Sequence, residues 1–600
     1  MDLDQAATGQ EAWAAAKAEL SRGENLHAHD LAVRAREKWP DHEGLKHLAV
    51  LALARSGAVD LARRRFGEYG LDEARSEESF SLDARLHKDR ALANPDRPDH
   101  EALDHSIAAY ESGYEVDRGY YPAINIATLS LLAGYAEKAR SWATAALTDA
   151  EAKRERDGYY AEATRAEALL LLDRPEEAAA SAAQAAALAG ANYAERATTF
   201  RQLQMICRHK GLEASLLESL RPPPVIHFCG HIIAPPGAAG RFPADQEGDV
   251  REALREAFAA LSCSYAIGSL AAGADILAAE TALDAGVALD VVMPFDRDEF
   301  IELSVAPAGR RWVARFERCY ARAHKIHHVT RDAYLGDDEL FGYASEYALG
   351  LARLRAQWLS AELNQIAIWD GKRGSAAAGT YHDLELGRRA GCFQHVIRVR
   401  PETPAAPPPA FASESAGEQP GQLKRTRNTL IFGDLKGFSR LSDAQMPSFV
   451  QHVLGAIAQV LEAQGDQLIL QNTWGDGIFL VFRDPGNAAA CAFALQEAMA
   501  AIDFAKTGLP DDLGLRLGCH YGPVYVTRDP ILQHDNCFGF HVTRAARIEP
   551  ITPEGSVYVT EQMAAALALS CPEQYRSDYV GQQPLAKNYG SFGMYHLNQC

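Results

Sequence analysis

The stretch IFGDLKGFSRLSD, Ile431 to Asp443, decides how this chain is read. A β-type run, Thr429-Leu-Ile-Phe, ends in Gly433-Asp434, and Gly437-Phe438-Ser439 follows closely behind. A second such end lies 42 positions on, in LILQNTWGDGIFLVF, where Asp476 sits between Gly475 and Gly477. A lone aspartate at a strand end ordinarily caps a helix or a turn. Two carboxylates flanked by glycine, each beside an apolar run, indicate a pair brought together for metal ions, because hard divalent cations take oxygen ligands.

The surrounding chain has 600 residues, too many for one hydrophobic core, so two to four domains are expected. Apolar residues make up 47% and charged residues 23%, a globular composition. A net charge of -20 argues against nucleic-acid or anionic-membrane binding. The ten cysteines include no Cys-x-x-Cys pair, which fits reduced thiols rather than a zinc site or a disulfide framework. The acidic start MDLDQAATGQ does not read as a signal peptide, and no run of 18 apolar residues occurs. A soluble, cytoplasmic protein is expected.

Residues 1–220 carry apolar residues at helical spacing in EAWAAAKAEL, DLAVRAREKW, GLKHLAVLALARSG and DLARRRFGEYG. The pattern returns after Tyr120 and after Tyr160, in paired helices with short turns and a period of roughly 34 residues. This spacing resembles tetratricopeptide repeats, which implies an all-α helical solenoid and a possible protein partner in its groove. The proline run Pro222 to Pro224 ends the repeats. Helix and strand signals then alternate through residue 400: VIHF, DVREALREAFAAL, SYAIG, GADILAAETALDAG, LDVVMPF and NQIAIWDG. Such alternation predicts an α/β segment with a parallel sheet. The loop Gly268, Ser269 to Gly273, Asp275 lies between a strand and a helix, where its N–H groups are expected to face an anion.

Strand-Gly-His, this small-residue loop, VVMPF and AAAGTYHD together resemble the SLOG superfamily of Rossmann-like proteins. That family includes lysine-decarboxylase-like phosphoribohydrolases, and the resemblance implies a nucleotide-like ligand. Those hydrolases carry Pro-Gly-Gly-x-Gly-Thr-x-x-Glu. Here Ser375-Ala376-Ala377-Ala378-Gly379-Thr380-Tyr381-His382-Asp383 loses two glycines and ends in Asp, so ligand sensing is favoured over hydrolysis. Residues 401–427 are rich in Pro, Ala, Ser and Glu and read as an interdomain linker.

From 428 to 600 the order is strand (NTLIFGD), helix (PSFVQHVLGAIAQVLEAQG), a hairpin (DQLILQNTWGDGIFLVF), helix (GNAAACAFALQEAMAAID) and strand (LGLRLGCHYGPVYVT). This predicts an α+β, ferredoxin-like core, with the first hairpin strand beside the Asp434 strand. Three motifs then resemble class III nucleotidyl cyclases in that family's order: IFGDLKGFSRLSD, NTWGDGIFLVF and CFGFHVTRAARIE. The resemblance implies that Asp434 and Asp476 bind two Mg²⁺ or Mn²⁺ ions, with the Leu435 carbonyl as a further ligand. It implies that the Gly437-Phe438 turn lies near the triphosphate, that Arg547 stabilises the transition state, and that Lys587 meets the β/γ-phosphates. The alternative for Arg547 is an ion pair with Glu549, and nearby Arg544 reads as a solvated helix residue.

The motifs also depart from the family. Adenylyl cyclases read the base with Lys and Asp, and guanylyl cyclases with Glu and Cys. Here Asn472 and Asn536 occupy those positions, or Asp535 or Cys537 if the second register slips by one. An amide offers both a donor and an acceptor, so the pair does not name the base. Thr543 stands where the family usually has a catalytic Asn. ATP is favoured as the nucleoside triphosphate. The pyrimidine cyclases of phage defence, which make cCMP or cUMP, and an inactive nucleotide-binding scaffold stay open. The family's sites form between two catalytic domains head to tail, and one such domain with both residue sets implies a homodimer.

Overall fold

The computed structural model describes residues 6–93, 98–190, 192–235, 237–330, 334–336, 338–374, 378–400 and 423–600. The chain divides into two compact units, Met1–Pro223 with Gln357–Ala361 and Tyr579–Gly581, and Pro224–Ala356 with Glu362–Asp578 and Gln582–Cys600. Among the described residues no helix is long and apolar enough to cross a membrane.

The first unit is helical from Gly9–Arg22 through Tyr193–Lys210. Alanine lets these helices approach closely: Ala12, Ala16, Ala28, Ala32 and Ala35 are all buried. Its apolar clusters follow one another along the chain. One runs from Ala12 to Ala52, the next from Val50 to Leu86, another from Ala84 to Leu129, and a last from Ala123 to Leu220. Each helix therefore packs mainly on its sequence neighbours. Helices Glu77–Ala91 and His100–Val116 add to those legible from spacing.

In the second unit, strands β1 (Val225–Gly230), β2 (Tyr265–Gly268), β3 (Ala288–Met293), β4 (Lys325–His328), β5 (Leu363–Trp369) and β6 (Phe393–Arg398) form one sheet. Its order is β4-β3-β2-β1-β5-β6, and all neighbours are parallel. The inner strands are buried on both faces and read as continuous apolar runs, as such sheets require. The direction of strand addition switches between β1 and β5, the point at which open parallel sheets commonly hold ligands.

A second sheet holds β7 (Arg425–Lys436), β8 (Leu468–Trp474), β9 (Gly477–Phe482), β10 (Gly514–Arg528), β12 (Val557–Thr560), β13 (Tyr575–Pro584) and β14 (Ser591–Gln599). Its order is β13-β14-β12-β10-β7-β9-β8, with β11 (Asp535–Phe538) paired to β10. The run β10-β7-β9-β8 is the ferredoxin-like arrangement. Two expectations need correction. The second hairpin strand, β9, pairs with β7, and β8 takes the edge. This follows from side-chain character: GIFLVF is buried along its length, whereas LILQNTW carries polar residues that suit an edge. The linker reading also ran too far. Residues 401–422 lie outside the described residues, but Arg425–Arg427 already belong to β7, because the long β10 offers a ladder down to Tyr525↔Arg425.

Helix Glu339–Leu359 of the first sheet's segment packs on the second sheet's segment. A Cβ on Gly350 would come within 2.6 Å of the Ala565 carbonyl oxygen, so glycine sets this close approach. Arg427 pairs with Glu339 at 3.0 Å and Glu346 at 3.2 Å. His327 lies between two carboxylates, with Nε2 3.0 Å from Asp290 and Nδ1 3.5 Å from Glu561. Tyr347 donates its hydroxyl to Glu561. Burial and Lys325 oppose the charged imidazole, yet the two carboxylates raise the His327 pKa above its ordinary value. Asp290 and Glu561, although buried, are held well below the usual carboxylate range by these hydrogen bonds and cations.

Removing one member of such a buried pair strands the other charges, at a cost of about 3–5 kcal/mol. Glu561→Ala should therefore lower the unfolding midpoint of the full-length protein clearly. Exchange of Glu561 for Gln, which still accepts from Tyr347, should cost less. Thermal unfolding monitored by circular dichroism checks both.

Candidate active site

The two motif aspartates meet because of strand register. Gly433 pairs with Ile478, which sets Asp434 beside the β8–β9 turn that carries Asp476. On the other side Asp434 pairs directly with Arg516 of β10. Cross-strand partners share a face, so the Arg516 guanidinium reaches the Asp434 carboxylate, and it also lies 2.8 Å from Glu549. The Asp476 carboxyl is pushed above its ordinary pKa, chiefly by burial and also by the neighbouring Asp434 charge. Burial pushes Glu549 up to about 7, with Asp434 and Asp476 adding to it and Arg516 opposing. Sequence reasoning missed Arg516 and gave Glu549 only a pairing role with Arg547. In the fold Glu549 pairs with Arg516 instead.

The turn after Asp434 is tight. Gly437 has φ 91°, and a Cβ there would come 2.8 Å from Arg440 Nη2. Phe438 packs on Phe449, with ring centroids 4.9 Å apart. It also reaches the hairpin, since a Cβ on Gly475 would lie 3.9 Å from its ring. Phe438 thus packs the Asp434 turn against the Asp476 turn. The Leu435 side chain is buried on the opposite face.

The remaining predicted residues lie elsewhere. Asn472 on β8 and Asn536 on β11 are on touching strands. Asn536 is opposite Thr527, eleven residues along β10 from Arg516, so it stands at the far end of the β7–β10 ladder from Asp434. Both ends of its amide are engaged: Nδ2 donates to Asp529 at 2.8 Å, and Oδ1 accepts from the Cys537 N–H at 2.8 Å. It therefore braces the β10–β11 connection. Asn472 Oδ1 accepts from Thr473 N–H at 2.9 Å. Thr543 is exposed on the short helix Phe540–Ala545, and Arg547 follows with an enclosed Nε that has no hydrogen-bond partner. Arg544 is not solvated. It is 5% exposed and stacks over Phe540 and Phe592 at 4.9 and 5.0 Å. Lys587 is exposed, with a left-handed φ of 60°.

In the parallel-sheet segment the Gly268–Asp275 loop departs from expectation. Three of its N–H groups are already used: Ala271 donates to Asp275, Ala272 to the Ser304 carbonyl and Ala274 to the His231 carbonyl. These three do not face an anion. Leu270 and Ala272 are fully buried, and the loop folds inward with them. Ser375–Ala377 lie outside the described residues. At the switch between β1 and β5, His231 Nε2 is 3.1 Å from Asp370, Thr380 bonds His231 Nδ1 at 3.0 Å, and Arg241 holds Asp370 through two bonds at 2.9 and 2.6 Å.

Burial raises Asp275 to about 8 and Asp383 to about 7, so both carboxyls are largely protonated near pH 6. The native state holds these protons more tightly than the unfolded chain. The stability they contribute is complete below about pH 4 and is lost as pH rises through about 7 and 8. Asp383→Asn should flatten the fall in melting temperature between about pH 4 and 7. A pH series of thermal melts on both proteins checks this.

Residues 423–599 match the family described as "Adenylate and Guanylate cyclase catalytic domain", and residues 27–130 match "Tetratricopeptide Repeats-Sensor". A Rhizobium meliloti (strain 1021) protein provisionally named adenylate cyclase 3 is 32% identical over 146 residues, 23% of this chain and 23% of its own length. "Adenylate cyclase" of Anabaena cylindrica is 26% identical over 170 residues, 26% of this chain and 33% of its own. The match thus spans about a quarter to a third of each curated relative. Among solved structures, the adenylyl cyclase CyaB from P. aeruginosa is 16% identical, with TM-score 0.27, covering 30% of this chain and 97% of that one.

Proposed function

A chain that carries a class III adenylate/guanylate cyclase catalytic domain and a tetratricopeptide-type sensor segment is, we propose, a nucleotide cyclase. It converts a nucleoside triphosphate, ATP by preference, to a 3′,5′-cyclic nucleotide and pyrophosphate. We divide it into helical repeats (1–220), a Rossmann-like sensing segment (221–400), a linker and a catalytic domain. The six-stranded parallel order supports the Rossmann-like reading, and the chain of overlapping cores supports a solenoid. The observation that carries the catalytic reading is the convergence of Asp434 and Asp476 at the Arg516 guanidinium.

The donor set suits divalent cations. Asp434 lies close enough for its charge to raise the Asp476 pKa, which calls for positive charge, and oxygen ligands match Mg²⁺ or Mn²⁺. Among the described residues no group of three or more His, Cys, Asp or Glu gathers into a complete site. Substrate phosphates and water would then complete the coordination, as Mg²⁺ sites commonly use. Asp434, Asp476 and the Leu435 carbonyl would hold the ions, which when bound stabilise the attacking and leaving oxygens. The Gly437 turn and Phe438 shape the phosphate side, and Lys587 supplies positive charge. Arg547 faces the charge that develops on the transferring phosphoryl group. Thr543 keeps a hydroxyl for orienting the sugar.

A homodimer completes the site. Asn536 and Asp434 stand at opposite ends of β10's ladder, so Asn536 and the metal aspartates of one chain belong to different sites. Large apolar side chains are exposed around them: Trp474 is 57% exposed, Phe538 40% and Phe540 37%, and these suit a subunit interface. Asn472 is the better placed base reader, since Asn536 is engaged on Asp529.

Mn²⁺ should raise the melting temperature of the protein, and Asp434→Asn or Asp476→Asn should abolish that shift. Incubation with each of the four triphosphates and Mn²⁺, with products identified by mass spectrometry, names the substrate. Absence of any cyclic product rejects the enzyme. Asp434→Ala and Arg547→Ala should each lose roughly 10²-fold or more in turnover. Co-expression of the two should restore part of it, because one mixed site carries neither lesion.

A further inference from the structure

Helix Phe540–Ala545, which precedes Arg547, is six residues long and has no side-chain cap. So short a helix has little stability of its own, and tertiary anchors must set its orientation. One anchor is His541, which is 4% exposed. Its Nδ1 is 2.7 Å from His520 Nε2, the two rings stack, and His520 Nδ1 meets Thr560 Oγ1 at 2.8 Å. A Cβ on Gly522 would come within 2.4 Å of the His541 ring, so the imidazole is wedged against β10.

The other side of His541 is closed by a residue outside the cyclase segment. Tyr343 lies in helix Glu339–Leu359 and is 1% exposed. Its ring meets His541 edge-on at 5.7 Å, and its hydroxyl donates to the Tyr521 carbonyl of β10 at 2.6 Å. Tyr521 in turn donates its hydroxyl to Glu346, one turn along the same helix. Two residues before Tyr343, Phe341 packs on Phe295 and Tyr334 at 5.3 and 5.8 Å. Phe295 stands just past the carboxyl end of β3, the edge where parallel sheets bind ligands.

We propose that Tyr343 is a positioning residue for the cyclase site. Its hydroxyl on the Tyr521 carbonyl and its ring on His541 hold the Phe540–Ala545 helix, and with it Arg547, in place. The carboxyl-terminal edge of the parallel sheet thereby reaches Arg547 through one helix turn. This rests on the reading of Arg547 as a residue of a cyclase site, and a structural readout tests it separately.

Full-length Tyr343→Phe and Tyr343→Ala are compared with the parent by amide hydrogen exchange and by steady-state kinetics. Tyr343→Ala should speed exchange in residues 540–549 while β9 stays protected, with Tyr343→Phe in between. Turnover should fall roughly five- to tenfold in Tyr343→Phe and further in Tyr343→Ala, with KM for the triphosphate unchanged. Unchanged exchange in 540–549, or equal loosening of β9, would overturn the proposal. If Tyr343→Ala does not fold, Tyr343→Phe decides, since it removes one hydroxyl and keeps the ring. If the parent makes no cyclic product, the cyclase reading falls, and the exchange pattern alone judges the positioning role.

Discussion

Arg516 is the cation around which the cyclase segment's acidic residues gather. It bonds Asp434 and pairs with Glu549, and its charge also opposes the raised pKa of Asp476. Like charges this close disfavour one another's ionisation, so a counter-charge must sit among them. The guanidinium supplies it from β10, directly across from Asp434. The ladder that brings Arg516 there also brings Asp476 alongside through β9. One register therefore sets the charge balance of the site and the placement of its candidate metal ligands.

The same β10 strand carries the link to the rest of its unit. Its middle residues meet Tyr343 and Glu346 through Tyr521, and its far end supports β11 and Asn536. The Asp290–His327–Glu561 relay fastens the parallel sheet's segment to the helix after β12. Buried charge of this kind costs desolvation, and it is balanced here because every member has a partner. The junction is thus built of directional contacts, whose geometry specifies one arrangement more narrowly than apolar packing would.

The sequence carried the local elements well where periodicity was strong. Apolar runs such as VIHF, LDVVM and IFLVF are strands, and the alanine-rich stretches of the first 200 residues are helices. It misled where one residue's environment depends on a distant element. Arg544 looks like any exposed arginine, yet Phe540 of its own helix and the distant Phe592 of β14 enclose it. The Gly268–Asp275 loop has the composition of an anion cradle, yet the N–H groups of Ala271, Ala272 and Ala274 are taken by Asp275, Ser304 and His231. Arg516 went unnoticed because alternation assigns a strand residue to a face without saying what faces it.

What the sequence by itself determined was the identity of the candidate site groups: two aspartates at glycine-flanked strand ends, a glycine in the turn that follows the first, and an arginine in the third motif. These follow from local chemistry, since only such residues adopt those conformations or carry those charges. The tertiary structure alone decided which groups share a site. It put β9 rather than β8 beside Asp434, set Arg516 between Asp434 and Glu549, engaged Asn536 on Asp529, and seated Tyr343 on His541. Strand order, register and the docking of a helix from another segment join residues far apart in the chain. No local pattern encodes them, because their free energy comes from burial and pairing that exist only once the chain has folded.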